Sequence, residues 1–253
     1  GLAMDRLLAA VIDAHGGEAR WARVASVLAR VSMGGLEFSA HLRHRPLDRV
    51  EVSVRTEAPG ATFSHWPEPG LEAHFSPSRV WINDSSGALL EERRGPGAVF
   101  RSPRHRLLWD RLDVLFYAGL SLWQAVCGPF IALRSGCLVE QCDDWRFAGE
   151  RWRRLRITLP ADVPSVASSL TWYIDPAGRL QRIDYLPDLY GGLWPVGQLL
   201  SDYMDQDGVL CARRLRVHPC LPMGLLLRAS RLSWLDLDDV SLVRHPRQAP
   251  AGD

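Results

Sequence analysis

The chain contains no lysine: all 30 of its basic residues are arginine. A Schiff-base lysine, a phosphate-loop lysine and a kinase strand lysine are therefore all excluded. Net charge is also lacking. Thirty bases against 29 acids leave a formal +1, too little to steer the whole molecule onto nucleic acid or an anionic membrane. The five cysteines, Cys127, Cys137, Cys142, Cys211 and Cys220, are an odd number and lack the paired spacing of a zinc site. They predict free thiols and a reducing compartment rather than a disulfide framework. Residues 1–10 carry acidic Asp5 and no long apolar core, so they predict no signal peptide. There is no fixed-period repeat, no low-complexity linker and no alternation of strands with helices, which argues against a parallel sheet.

What is present centres on His105–Leu133. Leu108, Leu112, Leu115, Gly119, Leu122 and Val126 recur at helical spacing, which predicts a central helix over 105–128. From Val114 onward only Tyr117, Ser121 and Gln124 interrupt its apolar surface, so other elements must wrap it. Val114–Leu133 has the length of a membrane span, but Gly128-Pro129 breaks it early. The expectation is a buried helix, not a stable span.

The flanks read as short strands. A helix over 4–15 stops at Gly16-Gly17. Strands follow over 24–93: Val27–Met33 and Leu36–Leu42 as a hairpin about Gly34-Gly35, then alternating Val50, Val52 and Val54, then shorter runs. Strands resume over 130–235, with Phe130–Leu133, Trp152–Leu159, two hairpins on Asp175–Gly178 and Asp205–Gly208, and a last strand Leu225–Leu235. A polar tail occupies 246–253. The expected whole is a single domain, 1–253. Its fold class is mainly β (α+β), with a curved antiparallel sheet or half-open barrel wrapped around the central apolar helix.

The N-terminal helix, the helical insertion between strands and the late hairpins IDPAGRLQRIDY and LLSDYMDQDGVLCARRLRV resemble the bacterial lipoprotein-carrier-like (LolA-like) superfamily. That resemblance implies an apolar cavity, an apolar small molecule or acyl chain as ligand, and an envelope location, where the cysteines favour the cytoplasm.

Ten tryptophans are many for this length. Phe116, Tyr117 and Trp123 on the central helix, with Trp109 and Trp172, are the candidate ligand-binding residues, lining an aromatic pocket. No cofactor, metal or nucleic-acid partner is expected. His41 and His44 form H-x-x-H, but three residues apart on a strand they face opposite ways. Cys137 and Cys142 beside Asp143 and Asp144, and His218 with Cys220, read as structural. Gly119–Trp123 lacks the second glycine of a nucleophile elbow. Asp236, Asp238 and Asp239 lack the glycine turn of a cation loop and read as a solvated acidic tail. Arg151–Arg156 reads as a strand neutralised by Asp143, Asp144 and Glu150. The leading expectation is a non-catalytic binder or carrier of a lipid or other apolar ligand in an internal cavity. The alternatives are a hydrolase or isomerase using His65, His74 or His105, and an interaction module docking through the apolar helix.

Overall fold

A computed structural model describes residues 2–41, 45–188 and 191–247. Its strands are β1 (Val24–Gly34), β2 (Leu47–Arg55), β3 (Gly60–Ser64), β4 (Glu72–Ser76), β5 (Arg79–Asn83) and β6 (Leu89–Arg94) in the first run. The second run is β7 (Leu138–Phe147), β8 (Glu150–Thr158), β9 (Ser169–Ile174), β10 (Leu180–Tyr185), β11 (Val196–Gln206), β12 (Val209–Pro219) and β13 (Ser233–Arg244). All join one antiparallel sheet in the order β6-β5-β4-β3-β2-β1-β13-β12-β11-β10-β9-β8-β7. The first strand meets the last, and the sheet stays open between edges β6 and β7. Those two edges are joined in sequence by α4 (Pro96–Phe100), α5 (Pro103–Leu107), α6 (Arg111–Cys127) and a 3-10 segment, Gly128–Leu133.

The alternation of β2 is realised as read. Val50, Val52 and Val54 are buried on the concave face, while Glu51 points outward and pairs with Arg30 at 3.3 Å. α6 fills the concavity, packed against β2, β3, β4 and β5. Leu112–Leu120, Leu122–Gln124, Val126 and Cys127 are all buried. The segment 111–133 is long and apolar enough to cross a membrane, yet here it is wrapped by strands.

The two ends of the sheet differ. At one end the strands are joined by turns of two to five residues, and at the other by connections of five to thirteen. The turn end is capped by α1 (Leu2–Ala14) and α2 (Glu18–Trp21). Leu210 N–H donates to the His15 carbonyl at 3.0 Å, and Leu180 N–H donates to His15 Nε2 at 3.4 Å. A side chain on Gly178 would meet the Ala14 Cβ at 3.1 Å, so the Asp175–Gly178 turn seats directly on α1.

Five expectations are corrected. Leu36–Ala40 is a short helix, α3, not a returning strand. Gly35, at φ +125°, lies so close to the backbone of Leu232 and Ser233 that no Cβ fits, and this turns the chain into α3. In α3 only Phe38 is buried; Leu42 and His44 lie outside the described residues. The central helix starts at Arg111, not at 105, because Asp110 caps it; Leu108 is extended and exposed. Phe130–Leu133 is 3-10 helix rather than strand, set by Pro129 at its first turn. The last strand runs Ser233–Arg244, not 225–235. Leu221–Leu225 closes a turn with Met223 and Gly224 at positive φ. The acidic residues taken for a solvated tail lie in or beside cross-strand pairs: Arg216–Asp236 at 2.7 Å, Arg214–Asp238 at 2.9 Å and Arg30–Asp239 at 3.3 Å. Of the polar tail, only 246 and 247 are described.

Candidate apolar-ligand site

The N-terminus of α6 is built by a capping box. Asp113 N–H donates to Asp110 Oδ1 at 2.9 Å, and Asp110 N–H returns the bond to Asp113 Oδ2 at 3.1 Å. Arg93 of edge strand β6 bridges both carboxylates, at 2.6 Å to Asp110 and 3.1 Å to Asp113. His105 Nδ1 of α5 bonds the second oxygen of Asp113. Burial pushes Asp113 above the usual carboxylate range. Burial acts the same way on Asp110, but the Arg93 hydrogen bond and charge outweigh it and hold that carboxyl well below the range. His105, Asp110 and Asp113 bring donor atoms within 4.8 Å of one another, a possible cation set. Arg93 stands on both carboxylates and supplies the positive charge that such a cation would bring. The cluster therefore reads as the joint that fixes α5 and α6 to the sheet edge.

Five aromatics were expected to line a pocket. Trp109, Phe116 and Tyr117 do come together, with ring centroids of Trp109 and Tyr117 at 5.1 Å. They share the cluster with Phe38 and Phe100, at 5.6 Å from Trp109 and 5.7 Å from Phe116 respectively. All of these are buried in a packed core. Tyr117 donates to Glu37 Oε2 at 2.9 Å, and burial, reinforced by the Glu37 charge, pushes its phenol well up. Trp172 is buried separately on β9. Trp123 lies toward the turn end; its Nε1 donates to the Arg55 carbonyl at 3.0 Å, and the Arg134 guanidinium covers its ring at 5.3 Å. Gly119 lets the helix meet the sheet, since a Cβ there would fall 2.1 Å from the Phe75 ring.

A cleft of about 290 Å³ opens at the C-terminal end of α6. Its apolar wall is Trp21, Cys127, Phe130, Ile131 and Leu133, with Trp21 and Phe130 stacked at 4.6 Å. Glu18, Glu57, Arg134 and His245 supply a polar rim. Arg134 is held there by the carbonyls of Glu57 at 3.0 Å and Thr56 at 3.4 Å. None of the five expected aromatics lines this cleft, though Arg134 joins it to Trp123. An apolar wall with a mixed-charge rim suits an amphiphile with a short apolar body. Its residues escaped the sequence reading because Trp21 and Phe130 lie far apart in the chain. The one available signal was that both flank helix-ending glycines.

The remaining candidates are scattered. His65 Nδ1 accepts from Gly70 N–H at 3.0 Å within its own loop. His74 stacks on Trp81 at 4.8 Å and pairs with Glu72 at 2.9 Å. His41 bonds the carbonyls of Glu37 at 2.7 Å and Arg106 at 2.8 Å, tying α3 to α5. His218 Nδ1 donates to Ser230 at 3.0 Å, and Cys137 to the Ile131 carbonyl at 3.4 Å. All five cysteines are free. Arg151 and Arg153 both pair with Asp144, the neutralisation expected for β8.

No protein-family model matches the chain, and no curated protein is similar to it in sequence. Solved structures do match in fold. A LolA superfamily protein from Nitrosomonas europaea aligns at a TM-score of 0.53 and 12% identity, covering 95% of this chain and 94% of that one. A putative outer membrane lipoprotein-sorting protein domain from Vibrio parahaemolyticus aligns at 0.52 and 11%, covering 96% and 92%. A DUF1329 family protein from Desulfovibrio piger aligns at 0.53 and 8%, covering 94% and 92%. The half-open barrel around a central helix is therefore the LolA-type fold, as the sequence pattern suggested.

Proposed function

We propose that this chain binds and carries an apolar or acyl-chain ligand without transforming it. The observation that carries the reading is an open, curved sheet with a largely apolar concave face, beside an apolar-walled cleft at the end of the helix that covers that face. The fold shared with a lipoprotein-sorting domain supports it. The apolar body of the ligand lies along Phe130, Ile131 and Leu133, and its polar end meets Arg134 and His245. Trp123, behind Arg134, senses occupancy. Trp109, Phe116, Tyr117 and Trp172 form the packed inner wall, which a longer chain reaches only where α6 yields.

Titration with a dansyl-labelled fatty acid tests this. Saturable uptake is expected, with quenching of tryptophan emission. Leu133→Asp, at a half-exposed wall position, should weaken it by about tenfold or more, because it sets a carboxylate against the apolar chain. Unchanged affinity in that variant would place the ligand elsewhere, and absence of uptake would refute the reading.

A further inference from the structure

The overall charge of +1 hides an uneven surface. At the loop end, four segments join into one rim. α3 is tied to the β12–β13 connection by Leu36 N–H on the Arg231 carbonyl at 3.0 Å. It is tied to α5 by His41 on the Arg106 carbonyl at 2.8 Å. The Arg106 guanidinium lies 3.4 Å from where a Cβ on Gly191 would sit, in the β10–β11 connection. That connection meets the first through Cys220 N–H on the Pro195 carbonyl at 2.9 Å.

This rim carries the four most exposed large apolar side chains of the described residues, and Trp194 as well. Met223 is 94% exposed, Leu193 93%, Leu107 73%, Leu225 66% and Trp194 62%. Leu193 and Trp194 stand on the β10–β11 connection, Met223 and Leu225 on the β12–β13 connection, and Leu107 at the end of α5. Between them lie Arg104, Arg106, Arg228 and Arg231, all exposed and none paired with a carboxylate among the described residues. The acids of the same described segments are Glu37 and Asp188, and both accept from hydroxyls, of Tyr117 at 2.9 Å and of Ser168 at 2.5 Å.

We propose that this rim docks the protein onto an anionic bilayer surface, with Leu193, Trp194, Met223 and Leu225 in the interface and the four arginines among the headgroups. Side chains as fully exposed as Leu193 and Met223 enter an acyl boundary without any rearrangement of the fold. Tryptophan settles at the headgroup level, and arginine reaches lipid phosphates from a partly buried stem. Unpaired arginines complement an anionic leaflet, and the attraction fades with salt. The inference stands apart from the ligand cleft, which lies at the opposite end.

Vesicle flotation of the full chain tests it. Binding is expected to vesicles of phosphatidylglycerol mixed with phosphatidylcholine, to be absent from phosphatidylcholine alone, and to fall steeply with added salt. Leu193→Ser with Met223→Ser and Leu225→Ser should abolish flotation while leaving the melting temperature unchanged. Arg228→Ser with Arg231→Ser should reduce it by about tenfold. Leu133→Asp in the cleft should float like the parent, which separates docking from ligand uptake. No flotation, flotation indifferent to both sets of rim variants, or rim-dependent self-association without lipid would each overturn the proposal, the last in favour of a protein contact.

Discussion

The two ends of the half-barrel are made from the same strands and do opposite things. The turn end is capped, apart from the cleft beside Trp21 and Phe130. Its connections are short, α1 sits on the hairpin turns, and apolar side chains such as Ile12 and Val209 are buried there. The loop end is long-connected and leaves Leu193 and Met223 almost fully in water. A buried apolar group stabilises the fold and an exposed one does not, so the packing of the fold gives no account of the exposed side chains of the loop end. The difference teaches that connection length, more than strand composition, decides which end leaves large apolar side chains in water.

Perturbing each end should give unequal effects. The largest is expected for Phe130→Ala, which removes the stacking partner of Trp21 and a wall of the cleft. Calorimetry should show a loss of about 3–5 kcal/mol, together with weaker fatty-acid uptake. Gly119→Ala should follow, at about 1–3 kcal/mol by chemical denaturation, because the Phe75 ring must move to admit the methyl group. Asp110→Ala strips the cap of α6 and one partner of Arg93, for about 1–2 kcal/mol by the same measurement.

A pH scan sharpens the contrast. Burial holds His15 below the ordinary imidazole value of 6.5, and His74 and His218 shift the same way. The unfolded chain then binds protons that the fold resists, so stability rises with pH through the window below 6.5 and is lost on acidification. His15→Gln should flatten part of that slope, and the turn end should be the first region to exchange amide hydrogens at acid pH. The smallest effect belongs to Leu193→Ser, within about 0.5 kcal/mol, since nothing packs on that side chain. A large loss there would break the comparison.

Local pattern made much of this legible. Val50, Val52 and Val54 announced a half-buried strand, the two Asp-x-x-Gly turns announced their hairpins, and the spacing from Leu112 to Val126 announced a buried helix. These signals hold because each is decided within a few residues. What failed was decided at a distance. Leu36 and Phe38 alternate like a strand, but Gly35 turns at positive φ against Leu232 and Ser233 and the chain enters α3. Asp236 and Asp238 look like a solvated tail until Arg214 and Arg216 are brought beside them by pairing. The aromatic set was half legible. Tyr117 and Phe116 follow from helical spacing, whereas Phe38 and Phe100 join them only through tertiary packing. The cleft needed Trp21, Phe130 and Arg134 to converge, and no pattern in the chain encodes that.

Mass spectrometry of an organic extract from the purified, denatured protein tests the central claim most directly. A stoichiometric acyl or other apolar species is the result that this account predicts. A clean extract from folded protein that also takes up no added fatty acid would contradict it.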